Sequence, residues 1–168
     1  MTAAARAFVG LGANLAGSHG TPQEALDAAI AALGKLPSSN LRKVSQLYVS
    51  DPVDASGPVF FNRVAHLQTG LSPQALLDEM QAIENRFGRE RPYRNAPRTL
   101  DLDLLMVDDL QLQTPRLTLP HPRMHERLFV LMPLAELDPT LVIAGRGTVA
   151  ECLAAVQATG LQRCRPGE

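Results

Sequence analysis

Two hydrophobic periods alternate along the chain. Residues 6–12 place Ala7, Phe8, Val9 and Leu11 in a first predicted strand that runs into "GLGANL". "TPQEALDAAIAALGKL" then switches to helical spacing, with Leu26, Ala29, Ile30 and Leu33 on one stripe. Its start is marked by Thr21 as N-cap, Pro22 at the first helical position and Glu24 closing a capping box. "VSQLYVS", residues 44–50, predicts a second strand, "DPVDASGP" a turn-rich loop, and "VFFNRVAHLQT" a third strand. Ser72 and Pro73 open a second helix lined by Leu76, Leu77, Met80, Ile83 and Phe87, with Gly88 placed to end it. A polar, Arg-rich loop leads to a strand at 99–107, and residues 110–118 predict a short strand pair. Pro122 is expected to start a helix that Pro133 limits, and Thr148 with Glu151 caps a last short helix.

The order is β-α-β-β-α-β with extra pieces at the end. That is the split βαβ arrangement of a ferredoxin-like α+β sandwich, a mainly antiparallel sheet with helices packed on it. The pattern shows no repeat, low-complexity tract or linker, so residues 1–168 are expected to form a single domain.

Composition narrows the class. Apolar residues make up 45% and charged residues 20% of the chain, with a formal net charge of −1. That balance argues against a generic nucleic-acid or membrane-surface binder. The basic charge is carried by fourteen Arg and two Lys, and Arg suits bidentate binding of phosphate or carboxylate. Two cysteines, Cys152 and Cys164, form neither a disulfide framework nor a zinc pattern and fit a reducing compartment. The N-terminal stretch lacks a long apolar segment, and no run long enough to span a bilayer occurs. A soluble, cytoplasmic, monomeric protein is expected.

The strand "PRTLDLDLL" carries Asp101 and Asp103 between large apolar residues. Positions i and i+2 of a strand share a face, with backbones about 6.5–7 Å apart. Leu100, Leu102 and Leu104 then face the core while both carboxylates converge on the other side. Oxygen-only ligands favour Mg²⁺ over zinc or copper. Alone, the dyad is a weak pattern that more often marks a solvent-facing strand side. It is preceded by "RFGRERPYRNAPR", five Arg in thirteen residues. Carboxylates for the metal beside guanidinium groups for phosphate are what a Mg²⁺-bridged polyanion requires. In "LPHPRMHERLF", His121 precedes the predicted helix start, and Arg123 and Arg127 are expected to share one helical face. In "VFFN", Phe60 and Asn62 share a strand face, an aromatic beside an amide that suits a flat heterocycle, although both Phe also fit a core. Phosphate-loop, dinucleotide and nucleophile-elbow motifs are absent from the sequence.

Six stretches in order, "GLGANL", "YVSDPV" at 48–53, "FFN" at 60–62, "QAIENRFGRER" at 81–91, "PRTLDLDLL" at 97–105 and "RLTLPHPRMHERLFVLMPL" at 116–134, resemble the 6-hydroxymethyl-7,8-dihydropterin pyrophosphokinases of folate biosynthesis. The resemblance implies a ferredoxin-like core and transfer of diphosphate from ATP to the hydroxymethyl group of 6-hydroxymethyl-7,8-dihydropterin, with AMP leaving. By position it implies that Asp101 and Asp103 hold two Mg²⁺ ions. It assigns Gln81, Glu84, Arg91, Arg98, Leu104, Arg116, Thr118, His121 and Arg127 to ATP, and Arg89 and Arg98 to catalysis. Gly12, Ser50, Val53, Phe60, Asn62 and Phe129 correspond to the pterin pocket. Asn95 stands where some members carry an aromatic, with Tyr93 as a candidate replacement. The loops at 51–58 and 86–97 are expected to close over the substrates. Two other classes fit the residues alone: another Mg²⁺-dependent nucleotidyltransferase and a non-catalytic ferredoxin-like binding module.

Overall fold

The structure is a computed structural model, and it describes residues 4–14, 21–51, 58–88 and 100–167. Along the chain lie β1 (Ala5–Ala13), α1 (Pro22–Leu33), β2 (Ser39–Val44), β3 (Tyr48–Ser50), β4 (Phe60–Thr69), α2 (Pro73–Gly88) and β5 (Asp101–Val107). Then follow β6 (Leu112–Gln113), β7 (Thr118–Leu119), a 3-10 turn (Met124–Glu126), α3 (Leu128–Leu137), β8 (Val142–Ile143), β9 (Gly147–Thr148), α4 (Val149–Thr159) and β10 (Cys164–Pro166). The main sheet runs β10-β3-β4-β1-β5, with β2 also on β4, and its neighbours are antiparallel. This is the ferredoxin-like α+β architecture.

The expected helix starts are present. In α1 the Thr21 hydroxyl accepts the Glu24 N–H and the Glu24 carboxylate accepts the Thr21 N–H, both at 3.1 Å. Thr148 and Glu151 repeat this reciprocal pair at α4, and Ser72 Oγ accepts the Ala75 N–H ahead of α2.

Two cores lie on opposite faces of the sheet. On one, Ala7, Val9, Leu11, Leu67, Leu102 and Leu104 pack against Leu26 and Leu33 of α1 and Leu76, Met80 and Ile83 of α2. On the other, Phe8, Val64, Leu105 and Met106 pack against Val130, Leu131 and Leu134 of α3 and Val149 of α4. The β1–β5 register slips by one residue: Val9 opposes Leu104 and Phe8 opposes Met106, so Leu105 is the extra residue of a β-bulge. The bulge reverses strand parity. Before it, odd positions of β5 (Asp101 and Asp103) lie on the α3–α4 side; after it, Met106 does.

Three expectations are corrected. The single strand at 44–50 is two strands, β2 and β3, both lying along β4. The break is held by Ser45, which is fully buried. Its N–H donates to Val64 O, its hydroxyl accepts the Val64 N–H at 3.0 Å, and its carbonyl accepts Arg63 Nε–H. Strand hydrogen bonding therefore continues through a side chain where the backbone departs. Second, no α-helix starts at Pro122. The Arg123 N–H donates to His121 Nδ1, and the backbone makes only i→i+3 bonds through Met124 and Glu126 before Arg127 turns extended (φ −117°, ψ 115°). Arg123 and Arg127 do not share a helical face. Third, α3 runs through Pro133, which is buried within an apolar helix. Burial offsets the missing N–H.

The β8–β9 hairpin and β10 carry too few residues for a periodic signal. β10 borders β3, and its flanks are tied by Asp51 N–H to Arg163 O (3.2 Å) and Gly167 N–H to Leu47 O (2.7 Å). No helix among the described residues is long and apolar enough to cross a membrane. Cys152 and Cys164 are free thiols.

Candidate active site

The paired carboxylates lie on the α3–α4 face of the sheet, and both are partly exposed. Asp101 opposes Gly12 and Asp103 opposes Gly10 across the β1–β5 ladder. Gly12 in turn opposes Asn62 on β4, and Asn62 opposes Tyr48 on β3. Directly opposed residues project from one face, so Asn62, Gly12 and Asp101 form a row, with Asn62 and Asp101 two strand spacings apart, about 10 Å. Glycine in the middle keeps that interval clear. A Cβ at Gly12 would stand 3.3 Å from Asn62 Oδ1, tight enough that the amide would have to give by a few tenths of an ångström.

The Asn62 amide is oriented from below. Its Nδ2–H₂ donates to Ser50 Oγ at 2.8 Å and to Phe60 O at 3.4 Å, and both Asn62 and Ser50 are buried. Oδ1 is the atom left over the Gly12 position. Three expected pterin-pocket residues, Gly12, Ser50 and Asn62, are thus joined in one construction, with partly buried Phe60 beside them on β4.

A cationic cluster stands beside Asp103. Arg127 Nη1 lies 4.0 Å from Asp103 Oδ2, with the carboxylate side chain 45% exposed and so open to a further ligand. The same guanidinium lies over the Phe129 ring, 5.5 Å from its centroid. His121 is held by its N–H to Leu105 O, 2.8 Å. Burial pushes its pKa below the ordinary 6.5, Asp103 opposes that shift, and Arg127 and Arg123 add to it. Since Nδ1 accepts the Arg123 N–H, the neutral ring carries its proton on Nε2, a donor suited to an anion.

Along the outer edge of β5 runs a cleft of about 260 Å³, lined by Leu77, Asp103, Leu104, Arg116, Thr118 and His121 among others. The Arg116 guanidinium is fixed across its mouth by an ion pair with Asp78 and a 2.9 Å bond to Gln81 Oε1. Glu84 Oε2 accepts the Leu102 N–H at 2.9 Å. Peptide groups alternate in direction along a strand, so those of Leu104 face outward as Leu102's do. Gln81, Glu84, Leu104, Arg116, Thr118, His121 and Arg127, expected around a nucleotide, therefore surround one edge of one strand. Val53, Arg89, Arg91 and Arg98, with Tyr93 and Asn95, lie outside the described residues, as does most of both loops expected to close.

Sequence reasoning missed Asp78, which orients Arg116. Its signal was available: Asp78 and Gln81 are three apart on α2 and so share a face.

Comparison with known proteins points the same way. Residues 8–139 match the model of the 7,8-dihydro-6-hydroxymethylpterin-pyrophosphokinase family. The 2-amino-4-hydroxy-6-hydroxymethyldihydropteridine pyrophosphokinase of Pseudomonas aeruginosa is 46% identical over 159 residues, covering 94% of this chain and 96% of that protein. The enzyme of the same name from Haemophilus influenzae is 42% identical over 146 residues, 86% of this chain and 89% of that one. Among solved structures, an HPPK-DHPS in complex with substrates has a TM-score of 0.71 at 11% identity, over 94% of this chain and 44% of that chain. That likeness concerns the fold, and this chain spans less than half the length of that protein.

Proposed function

Because the chain belongs to the 7,8-dihydro-6-hydroxymethylpterin-pyrophosphokinase family, and is thus an ATP-dependent diphosphokinase of folate biosynthesis, we propose that it transfers diphosphate by in-line attack of the pterin's hydroxymethyl oxygen on the β-phosphorus of ATP. AMP leaves from the opposite side. The observation that carries this reading is the row from Asn62 through Gly12 to Asp101, which sets a heterocycle-reading amide and a carboxylate on one face, two strand spacings or about 10 Å apart.

Asp101 and Asp103 fit Mg²⁺. They are oxygen donors on one face, opposite glycines. Mg²⁺ characteristically takes one or two carboxylates and completes its shell with water and substrate phosphates. Two bound ions would neutralise the triphosphate and polarise the phosphoryl oxygens.

The side chains divide the remaining work. Arg127 and the Nε2–H of His121 bind phosphate oxygens beside Asp103. Arg116, pre-set by Asp78 and Gln81, closes the nucleotide cleft. The outward peptide groups of Leu104 take the base edge, with Thr118, Gln81 and Glu84 around it. Asn62 Oδ1 receives the pterin's amino group while Phe60 and Phe129 stack on its ring, and Ser50 and Val53 complete the pocket. Arg89 and Arg98 neutralise charge as the bond to AMP lengthens, and Arg91 assists ATP binding. A loose phosphoryl-transfer transition state rewards positioning and electrostatics, so no general base is assigned.

The test is incubation with ATP, Mg²⁺ and 6-hydroxymethyl-7,8-dihydropterin while AMP is followed. Stoichiometric AMP and pterin diphosphate are expected. Release of pyrophosphate, as from a nucleotidyltransferase, would sink the reading.

A further inference from the structure

Gln162 lies between α4 and β10, beyond the residues 8–139 that match the family. Its side-chain amide makes two hydrogen bonds. Nε2–H donates to Glu126 O at 2.7 Å, and Oε1 accepts the Leu128 N–H at 2.9 Å. Those peptide groups flank a single residue, Arg127.

Arg127 occupies the N-cap position of α3 but makes no cap bond with its own side chain. That side chain is directed instead at Asp103 and across Phe129. The first N–H groups of a helix need acceptors from elsewhere. Gln162 supplies one for Leu128 from thirty-four residues away, an acceptor that the guanidinium of Arg127, a donor only, cannot provide. The segment carrying Gln162 is itself anchored at the other end of the site: Arg163 O accepts the Asp51 N–H, and Cys164 pairs with Ser50.

We propose that Gln162 is a positioning residue for the reaction: its amide clamps the extended backbone of Arg127 and so aims the guanidinium at the phosphates beside Asp103. The proposal rests on the reading that Arg127 meets the triphosphate. A long, flexible side chain on an unclamped backbone spreads over many positions, and ATP binding must then restrict all of them.

A double-mutant cycle tests it, with steady-state kinetics in ATP and in the pterin for Gln162→Ala, Arg127→Ala and the pair. Gln162→Ala is expected to raise KM for ATP about fivefold, the loss of roughly one hydrogen bond's worth of ordering. It leaves KM for the pterin unchanged. In the Arg127→Ala background it adds nothing, because the clamp then aims no guanidinium. A merely structural role would lower the melting temperature and add fully in both backgrounds. If Gln162→Ala does not stay folded, Gln162→Glu, which keeps the acceptor and loses the donor, serves in the same cycle. An unaltered KM for ATP, or an increase that persists without Arg127, overturns the clamp. An unaltered KM for ATP in Arg127→Ala overturns the reading of Arg127, and the clamp with it.

Discussion

Asp103 faces Arg127 at 4.0 Å and leaves 45% of its side chain exposed, and the proposed function gives that open side to a cation. At that distance and exposure the ion pair contributes little to stability, so stability and turnover should separate in variants of the dyad. Asp101→Ala and Asp103→Ala should each lower turnover about a thousandfold, the order seen when a preorganised electrostatic group is removed. Both variants should melt close to the parent, and AMP release with thermal denaturation measures the two effects separately. Gly12 makes a sharper claim about space. A methyl there meets Asn62 Oδ1 at 3.3 Å and must displace it. Gly12→Ala should raise KM for the pterin several-fold, about tenfold if one buried hydrogen bond is lost, and leave KM for ATP alone. Equal effects on both substrates would remove Asn62 from the pterin site.

The capping boxes of α1 and α4 show what a local pattern can specify. Thr21 with Glu24 and Thr148 with Glu151 were legible because every atom involved lies within four residues. Each carboxylate accepts the N–H of its threonine and also bonds its hydroxyl, which holds both pKa values below the ordinary 4.5. A folded-state pKa depressed in this way stabilises the protein above the unfolded value and ceases to do so as pH falls through the folded one. Urea midpoints of the parent and of Glu24→Gln/Glu151→Gln should therefore differ at pH 7, and the gap should close as pH falls from the unfolded carboxylate value through the depressed folded ones. A constant gap would mean the charges are idle. The strand break at Ser45 and the turn after His121 were not legible, for the complementary reason. Ser45 replaces a ladder group only because Val64 lies opposite, and the Arg123 N–H prefers His121 Nδ1 to a helical carbonyl. Pro133 misled in the same way, since burial of its ring is a property of α3 within the core.

Across the whole molecule, the candidate site is assembled from strands that are distant in sequence, and the residues that nominate it stand out in the chain. Asp101 and Asp103 announce themselves as charges in an apolar run, and Asn62 as an amide beside aromatics. Gln162 gives no such sign; its role exists only where the C-terminal segment crosses the start of α3. That segment also supplies the outer strand of the sheet. Deleting residues 161–168 removes β10 and its ties to Leu47 and Asp51, and should cost roughly 2–4 kcal/mol at about 1 kcal/mol per bond. KM should rise for both substrates, because Ser50 and Arg127 lose their shared support. A truncated chain that melts like the parent would show the tail to be dispensable. The bulge at Leu105 has a consequence of another kind. The pleat on either side of it obeys opposite conventions: the same side of the ribbon that is wet at Asp101 and Asp103 is dry at Met106. Excising Leu105 would leave Val9 opposite Leu104 and Phe8 opposite Met106 in an unbroken ladder, with both aspartates and the methionine still on their own side. What vanishes is filling, not order: the supernumerary leucine plugs the hollow above Gly10 beneath α3 and α4, so at 105 bulk matters and tally does not.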